Sequence, residues 1–298
     1  MQYVSESDIK LPKQKKSGKK GDNGKVLVVG GSKDYAGAVA LAGLASLRSG
    51  CDWATVAAPE KVAWAVNCLS PDLITVKLKG DYFSLKHAKE IIKLSEKHHA
   101  VLVGNGIGLK TETKKFIKKI IRGIKGLKVI DADAIKILSS SDLENSIITP
   151  HAGEMRLFMQ NSKIKDEIAK IILNEKNIGK KALLIRKAFD NAKNNFFEKN
   201  NVMLLKGPVA IIISKKNIYL NNTGSPGMTK AGTGDVLAGL AAGFLAQSRN
   251  LRQSAINASY FGKIISDILS KKKKGFTFLA SDMVNEIERI LKRKIKQK

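Results

Sequence analysis

Lys25-Val-Leu-Val-Val-Gly-Gly31, then Ala38-Val-Ala-Leu-Ala-Gly-Leu-Ala-Ser-Leu-Arg48, then Trp53-Ala-Thr-Val-Ala-Ala58, decide the fold. The first run is short, β-branched and stopped by glycines, which marks a buried strand feeding a loop. The second is alanine-rich and closes at Gly50, as a helix does, and the third is another short apolar run. Strand, helix and strand in that order make a βαβ unit, so the sheet is mostly parallel.

Outward from this unit the pattern repeats. Ala100-Val-Leu-Val103 runs into Gly104-Asn-Gly-Ile-Gly108, a helix is expected near 112 to 122, and Leu127-Lys-Val-Ile130 runs into Asp131-Ala-Asp133. Ser146-Ile-Ile-Thr149 precedes Pro150-His-Ala-Gly-Glu154, and Val202-Met-Leu-Leu205 precedes Lys206-Gly-Pro. In an open α/β sheet the crevice lies outside the carboxyl ends of the strands, so these loops are expected to line one site. Val209–Ile213 and Asn217–Leu220 read as a flanking hairpin, and Ser281–Leu291 as a packed terminal helix with Ser281 at its N-cap.

Asn222-Thr-Gly-Ser-Pro-Gly-Met-Thr-Lys-Ala-Gly-Thr-Gly-Asp235 carries most of the chemistry. Gly232 and Gly234 leave a bare turn, and Val236, Leu237, Leu240 and Phe244 behind it have helical spacing. The turn therefore sits on a helix N-terminus, where unpaired amides and the macrodipole favour an anion. Asp235 either caps that helix or takes a proton from a hydroxyl while the amides hold a phosphoryl group.

The chain carries 53 Lys and Arg against 26 Asp and Glu, a net +27. The lysines are spread along its whole length, without the aromatic-studded basic motif of RNA-binding modules, so a solvated lysine-rich surface is expected rather than a nucleic-acid partner. A positive field also draws in polyanionic small substrates. No run of 18 apolar residues and no secretory pattern is present, so a soluble cytoplasmic protein without a membrane partner is expected. Cys51 and Cys68 stand in no metal spacing and are expected to be free thiols, buried or nearly so. Residues 1 to 24 read as a basic arm or short helix, and 25 to 298 as one domain.

Val29-Gly-Gly-Ser-Lys-Asp-Tyr-Ala-Gly-Ala38, Gly104–Gly108, Asp131-Ala-Asp-Ala134, Thr149-Pro-His-Ala-Gly-Glu154, Leu205-Lys-Gly207 and Asn222–Asp235, in this order, resemble the ADP- or ATP-dependent NAD(P)H-hydrate dehydratases. The resemblance runs from about residue 24 to about 290, and it implies a ribokinase-like three-layer α/β/α fold with a mostly parallel sheet. It also implies a repair lyase. A phosphoryl group from ADP or ATP, ADP being favoured, converts the C6 hydroxyl of hydrated NADH or NADPH into a phosphate ester, which then eliminates.

By this resemblance Asp235 deprotonates the C6 hydroxyl, and the amides of Gly232, Thr233 and Gly234 hold the phosphoryl oxygens. Ala38, Gly108 and His151 would contact the hydrated cofactor, while Lys206, Gly207, Pro208, Val209 and Ala210 would run along the nucleotide. Glu154 would orient water on Mg2+, or else cap a helix. His151 has an alternative as a loop histidine bonded to backbone, and Asp131 and Asp133 either steer metal or start the next helix.

Lys230 and Ala231 depart from the usual small residues before the turn, and Lys230 could add a phosphate contact. Asn105 replaces a common proline. The first 24 residues are too short for the epimerase domain many relatives carry, so a stand-alone dehydratase acting on one epimer, as a homo-oligomer, is expected. Two other readings stay open: a ribokinase-like kinase of a sugar or vitamin-precursor alcohol, and a basic nucleic-acid-associated protein.

Overall fold

Each apolar run read from the sequence is a strand in the computed structural model, which describes residues 1–13, 18–190, 195–273 and 275–296, with side chains to 292. In chain order the elements are β1 Gln2–Tyr3, β2 Lys25–Val29, α1 Ala36–Arg48, β3 Trp53–Pro59, α2 Glu60–Leu69, β4 Ile74–Leu78 and α3 Ala88–Ser95. Then come β5 Ala100–Val103, α4 Thr111–Gly123, β6 Leu127–Ile130, α5 Asp133–Ile137, β7 Ser146–Ile148, α6 Ala152–Asn161, α7 Asp166–Asn174 and α8 Ile178–Asp190. The chain continues through β8 Val202–Leu205, β9 Ala210–Ile213, β10 Ile218–Asn221, α9 Thr233–Ser248, α10 Leu251–Lys272 and α11 Ala280–Lys296.

The strands form one sheet in the order β1-β10-β9-β8-β7-β6-β5-β2-β3-β4. β9 runs antiparallel to both of its neighbours, and the other adjacent pairs are parallel. Strand side chains alternate between two cores. Val26 and Val28 face the layer of α1, α2, α9, α10 and α11, whereas Leu27 and Val29 face that of α3 to α8. Burial on both faces explains why the parallel strands read as unbroken apolar runs.

Helix α9 is apolar on every side, and its positions from Val236 to Ala246 are all buried. Such a helix is a core element. It packs close to α1 because Gly239 and Gly243 have no Cβ; one placed there would strike Ala42 O and Ser49 Oγ. Ser46 Oγ donates across this contact to Gly239 O at 3.0 Å, so the first turn of α9 is held rigidly over the end of the sheet.

Three expectations change. Residues 1–13 do not simply project as an arm: Gln2 and Tyr3 pair with Tyr219 and Leu220 of β10, Glu6–Asp8 make one 3-10 turn, and Val4 and Ile9 are buried. Residues 14–17 of that segment lie outside the described residues, as do Lys274 and the side chains of the basic run beyond 292. Cys51 is buried, and burial pushes its thiol up to about 12, but Cys68 is exposed. The terminal helix starts one residue before Ser281, and Asp282 rather than Ser281 accepts the Leu279 amide at 2.7 Å. Among the described residues no helix is long and apolar enough to cross a membrane.

Candidate active site

β3 and β4 lie on one side of β2 and β5 to β8 on the other, so the strand order reverses between β2 and β5. Open α/β sheets bind ligands beyond the strand ends near such a point. A cleft of about 870 Å³ opens beyond the ends of β6, β7 and β8. Its walls are Asp131 after β6, His151 and Glu154 at the start of α6, Lys206–Ala210 after β8, much of the Asn222–Asp235 stretch, and Lys263 of α10.

Gly232 is the N-cap of α9, with φ 90°. A Cβ there would approach both Ala280 Cβ and Leu41 Cδ1 to 2.8 Å, so conformation and space both require glycine. Gly234 differs. Its backbone is not left-handed, and an added Cβ would meet only Lys206 Nζ at 3.6 Å. What a side chain at 234 would take is cleft space beside an ammonium.

The amides expected to hold phosphate are not equivalent either. Thr233 N–H is turned to Lys230 O at 3.3 Å, while its hydroxyl proton is shared between Met228 O at 2.6 Å and Lys230 O at 2.8 Å, knitting the turn. The amides of Gly232 and Gly234 have no partner among the described residues, which leaves them to an anion at the positive end of α9.

Under this turn lies a cluster of acids around one lysine. Lys206 Nζ is 2.9 Å from Asp131 Oδ1 and 3.4 Å from Glu154 Oε2. Burial pushes the Lys206 ammonium down, but the two carboxylates outweigh it, and the net shift is upward. Asp131 also accepts from Thr149 Oγ1 at 2.6 Å and from Asn105 Nδ2 at 2.9 Å. Asp235 receives one side-chain bond, from the same Asn105 nitrogen at 2.7 Å. Burial pushes its carboxyl up to about 7 against that bond, with the charges of Asp131 and Glu154 raising it and Lys206 lowering it. Asp235 thus titrates near neutrality, as a proton acceptor in a cleft should.

His151 and Glu154 serve the backbone and the cleft at once. His151 is the N-cap of α6: its Nδ1 accepts from the amides of Gly153 at 3.0 Å and Glu154 at 3.3 Å. Glu154 Oε2 returns the contact by accepting His151 N–H at 2.9 Å, which closes a capping box. In the neutral ring Nε2 then carries the proton, 3.4 Å from Glu154 Oε1. Asp133 begins α5, accepting from Gly108 N–H at 3.0 Å and Lys136 at 2.8 Å, and does not line the cleft.

Of the candidate residues, the structure leaves Ala38, Gly108 and Asp133 outside the cleft lining and gathers the others into it. Ala38, half-buried in the first turn of α1, lies against Gly106, next to Asn105, and Gly108 faces open space. Sequence reasoning missed Asn105 and Lys263. Asn105 registered only as a departure from proline. Lys263 is hidden among many lysines, yet it is buried and its Nζ donates to Pro208 O and Thr223 O at 2.6 Å and Gly207 O at 3.3 Å. It ties the loop after β8 to the loop after β10, and burial pushes its ammonium down to about 8.

The layered architecture is the ribokinase-like fold, shared at TM-score 0.80 and 22% identity with a ribokinase-like superfamily protein of Enterococcus faecalis, over 98% of this chain and 95% of that one. Within it, the chain belongs to the NAD(P)H-hydrate dehydratase family, which matches residues 26–289. It is 34% identical over 281 residues to the bifunctional NAD(P)H-hydrate repair enzyme of Pyrobaculum aerophilum, covering 92% of this chain and 52% of that protein. The chain thus spans about half the length of several curated relatives it matches. It is 31% identical to the ADP-dependent (S)-NAD(P)H-hydrate dehydratase of Cenarchaeum symbiosum, covering 97% of this chain and 96% of that protein. The ADP/ATP-dependent NAD(P)H-hydrate dehydratase of Bacillus subtilis, co-crystallised with ATP and Mg2+, shares the fold at TM-score 0.73 and 23% identity, over 95% of this chain and 94% of that one.

Proposed function

We propose that residues 25–298 act as one ribokinase-like dehydratase unit. It dehydrates (S)-NAD(P)H-hydrate to NAD(P)H at the expense of ADP or ATP, with ADP favoured. The observation that carries this reading is Asp235, a desolvated carboxylate in the first turn of α9, with its carboxyl pushed up to about 7 beside two unpartnered turn amides.

In this reading Asp235 takes the proton of the C6 hydroxyl as its oxygen attacks the terminal phosphorus of the nucleotide. The P–O bond to the departing nucleotide breaks as the new ester bond forms. Gly232 and Gly234 amides, with a weaker contribution from Thr233, stabilise the charge on the transferring oxygens. The phosphate then leaves with the C6–O electrons while the neighbouring ring carbon gives up a proton, restoring the double bond. General-base assistance is worth ~10²- to 10⁴-fold and each oxyanion donor ~10²- to 10³-fold.

Lys206 adds a fixed positive charge, and Gly207–Ala210 form the wall for the nucleotide. His151 would approach the nicotinamide side, Ala38 and Gly108 would bound it from outside the cleft lining, and Lys230 stands at the cleft for an outer phosphate. Asp131, Glu154 and Asp235 place three carboxylates around one Lys206 ammonium, so a polyphosphate entering this acidic floor needs a further cation. Mg2+ fits that requirement: Glu154 would hold it through water, and the ion would supply charge neutralisation of the phosphates.

The test is direct. Purified protein with Mg2+ and ADP or ATP is expected to restore the dihydropyridine absorbance of hydrated NADH or NADPH. No recovery with either nucleotide, in folded protein, sinks the assignment; accumulation of a free phosphorylated alcohol from another substrate would mark a kinase instead. A homo-oligomer in the cytoplasm is part of the same reading, checked by light scattering and fractionation.

A further inference from the structure

The geometry points to Asn105 as the positioning residue of this reaction: its single amide nitrogen fixes the Asp235 carboxylate toward the cleft and separates it from Asp131. This inference rests on Asp235 being the base. Asn105 is fully buried, and its Nδ2 spans the two acids, 2.7 Å from Asp235 Oδ1 and 2.9 Å from Asp131 Oδ2. An amide nitrogen has two protons, and here each is committed to one carboxylate. Turned the other way, the amide would press its oxygen against two carboxylates.

The rest of the residue is built to hold that nitrogen still. Its backbone oxygen accepts Gly31 N–H at 2.8 Å and lies so close to Gly30 that a Cβ there would strike it. The flanking Gly104 and Gly106 have φ of 125° and 61°, and a Cβ on Gly104 would strike Asp131 O. The loops after β2, β5 and β6 are thus locked around one side chain.

Asn105 Oδ1, by contrast, is buried with no hydrogen-bond partner among the described residues. An unpaired carbonyl is a cost to folding, so the fold gains nothing from the oxygen end of this side chain. What justifies an amide here is its nitrogen. Two carboxylates brought side by side without an intervening donor would share a proton, and a base that shares its proton is unavailable to the substrate. The charged groups facing Asp235 are Asp131 from the end of β6, Glu154 from α6 and Lys206 from the end of β8; Asn105 is the neutral donor among them.

The test uses Asn105→Ala and Asn105→Ser in the full chain, measuring kcat and KM for ADP between pH 5.5 and 9, with melting temperature alongside. The expected result is a fall in plateau kcat of about tenfold or more. The acid limb should move up by about one pH unit, because the lost bond favoured the ionised form. KM for ADP should hold, and Ser, which offers one proton, should lie between Ala and the wild type. A folded variant whose limb does not move overturns the inference, whatever its stability.

A wild-type measurement guards against variants that fail to fold. The side-chain ¹⁵N–¹H signals of Asn105 are expected to shift with a midpoint near the acid limb and to stop shifting in Asp235→Asn; signals flat across this range also overturn the inference. Asp235→Asn separates the two ideas. If that variant keeps its turnover, the base role itself fails. If it is inactive while the Asn105 variants keep the wild-type limb, only the role of Asn105 fails.

Discussion

The end of β6 and the start of α9 each offer an aspartate to the same amide nitrogen, and the two carboxylates are equipped in opposite ways. Asp131 is surrounded by donors: the Thr149 hydroxyl, the Lys206 ammonium and Asn105. Asp235 is only partly buried at the cleft, has Asn105 as its one side-chain donor among the described residues, and is pushed by burial up to about 7. The difference teaches that reactivity here comes from withholding partners. A carboxylate held by three donors, one of them an ammonium, is committed to them, whereas one desolvated at a helix start can exchange a proton with a ligand.

The largest expected effect is that of Asp235→Asn. Asparagine is nearly isosteric and can still accept from Asn105, but it cannot take the hydroxyl proton, so kcat should fall ~10²- to 10⁴-fold. Calorimetric affinity for ADP should hold or tighten slightly. Equal loss of affinity and rate would turn Asp235 into a second Asp131 and dissolve the contrast.

Next come the two glycines of the α9 turn. Gly234→Val should fold, since a Cβ there meets only Lys206 Nζ, at an ordinary contact of 3.6 Å, yet lose ~10²-fold in turnover as its side chain fills the phosphoryl space. Gly232→Val should instead lower the melting temperature sharply, because φ 90° and two carbon atoms at 2.8 Å oppose any Cβ. Similar melting temperatures for the two variants would refute this division of labour.

Asp131→Asn probes the other aspartate. It takes from Lys206 its closest carboxylate and should cost on the order of 3 kcal/mol, read as a drop in thermal or denaturant midpoint at pH 7.5. An unchanged midpoint would mean that Asp131 is no anchor.

The smallest effects are in pH. Asp235 must be ionised to act, so kcat should rise with pH through about 7 and level off above it. Stability runs the other way. A carboxyl whose folded value is raised keeps its proton after the unfolded chain has released it, so a destabilising contribution is absent below about 4, grows up to about 7 and is constant beyond. Asp235→Asn should therefore melt closer to the wild type at pH 4.5 than at pH 7.5, where the variant should gain. A gap independent of pH would mean the carboxyl titrates elsewhere.

Much of this was legible in one dimension. Strands buried on both faces must be apolar throughout, so Lys25–Val29, Ala100–Val103, Ser146–Ile148 and Val202–Leu205 announced themselves, and the glycines and acids after them marked the site. Helices α6 to α8 and α10, and the edge strand β4, were harder to read. They mix charged and polar side chains with apolar residues, and β4 leaves Ile74 exposed, so the period is hard to read.

The sequence by itself determined the parallel α/β architecture, the family, and the Gly-Thr-Gly-Asp turn on a helix N-terminus, because each depends on residues close together along the chain. Only the tertiary structure decided what lies between the loops. Asn105 and Asp235 are 130 residues apart, and Lys206 and Asp131 are 75. Their pairing, and with it the choice of which aspartate is anchored and which is free to take a proton, follows from the sheet order that sets the ends of β5, β6 and β8 beneath the start of α9. Desolvation and charge act through space, so the same residue type acquires opposite roles within one cluster.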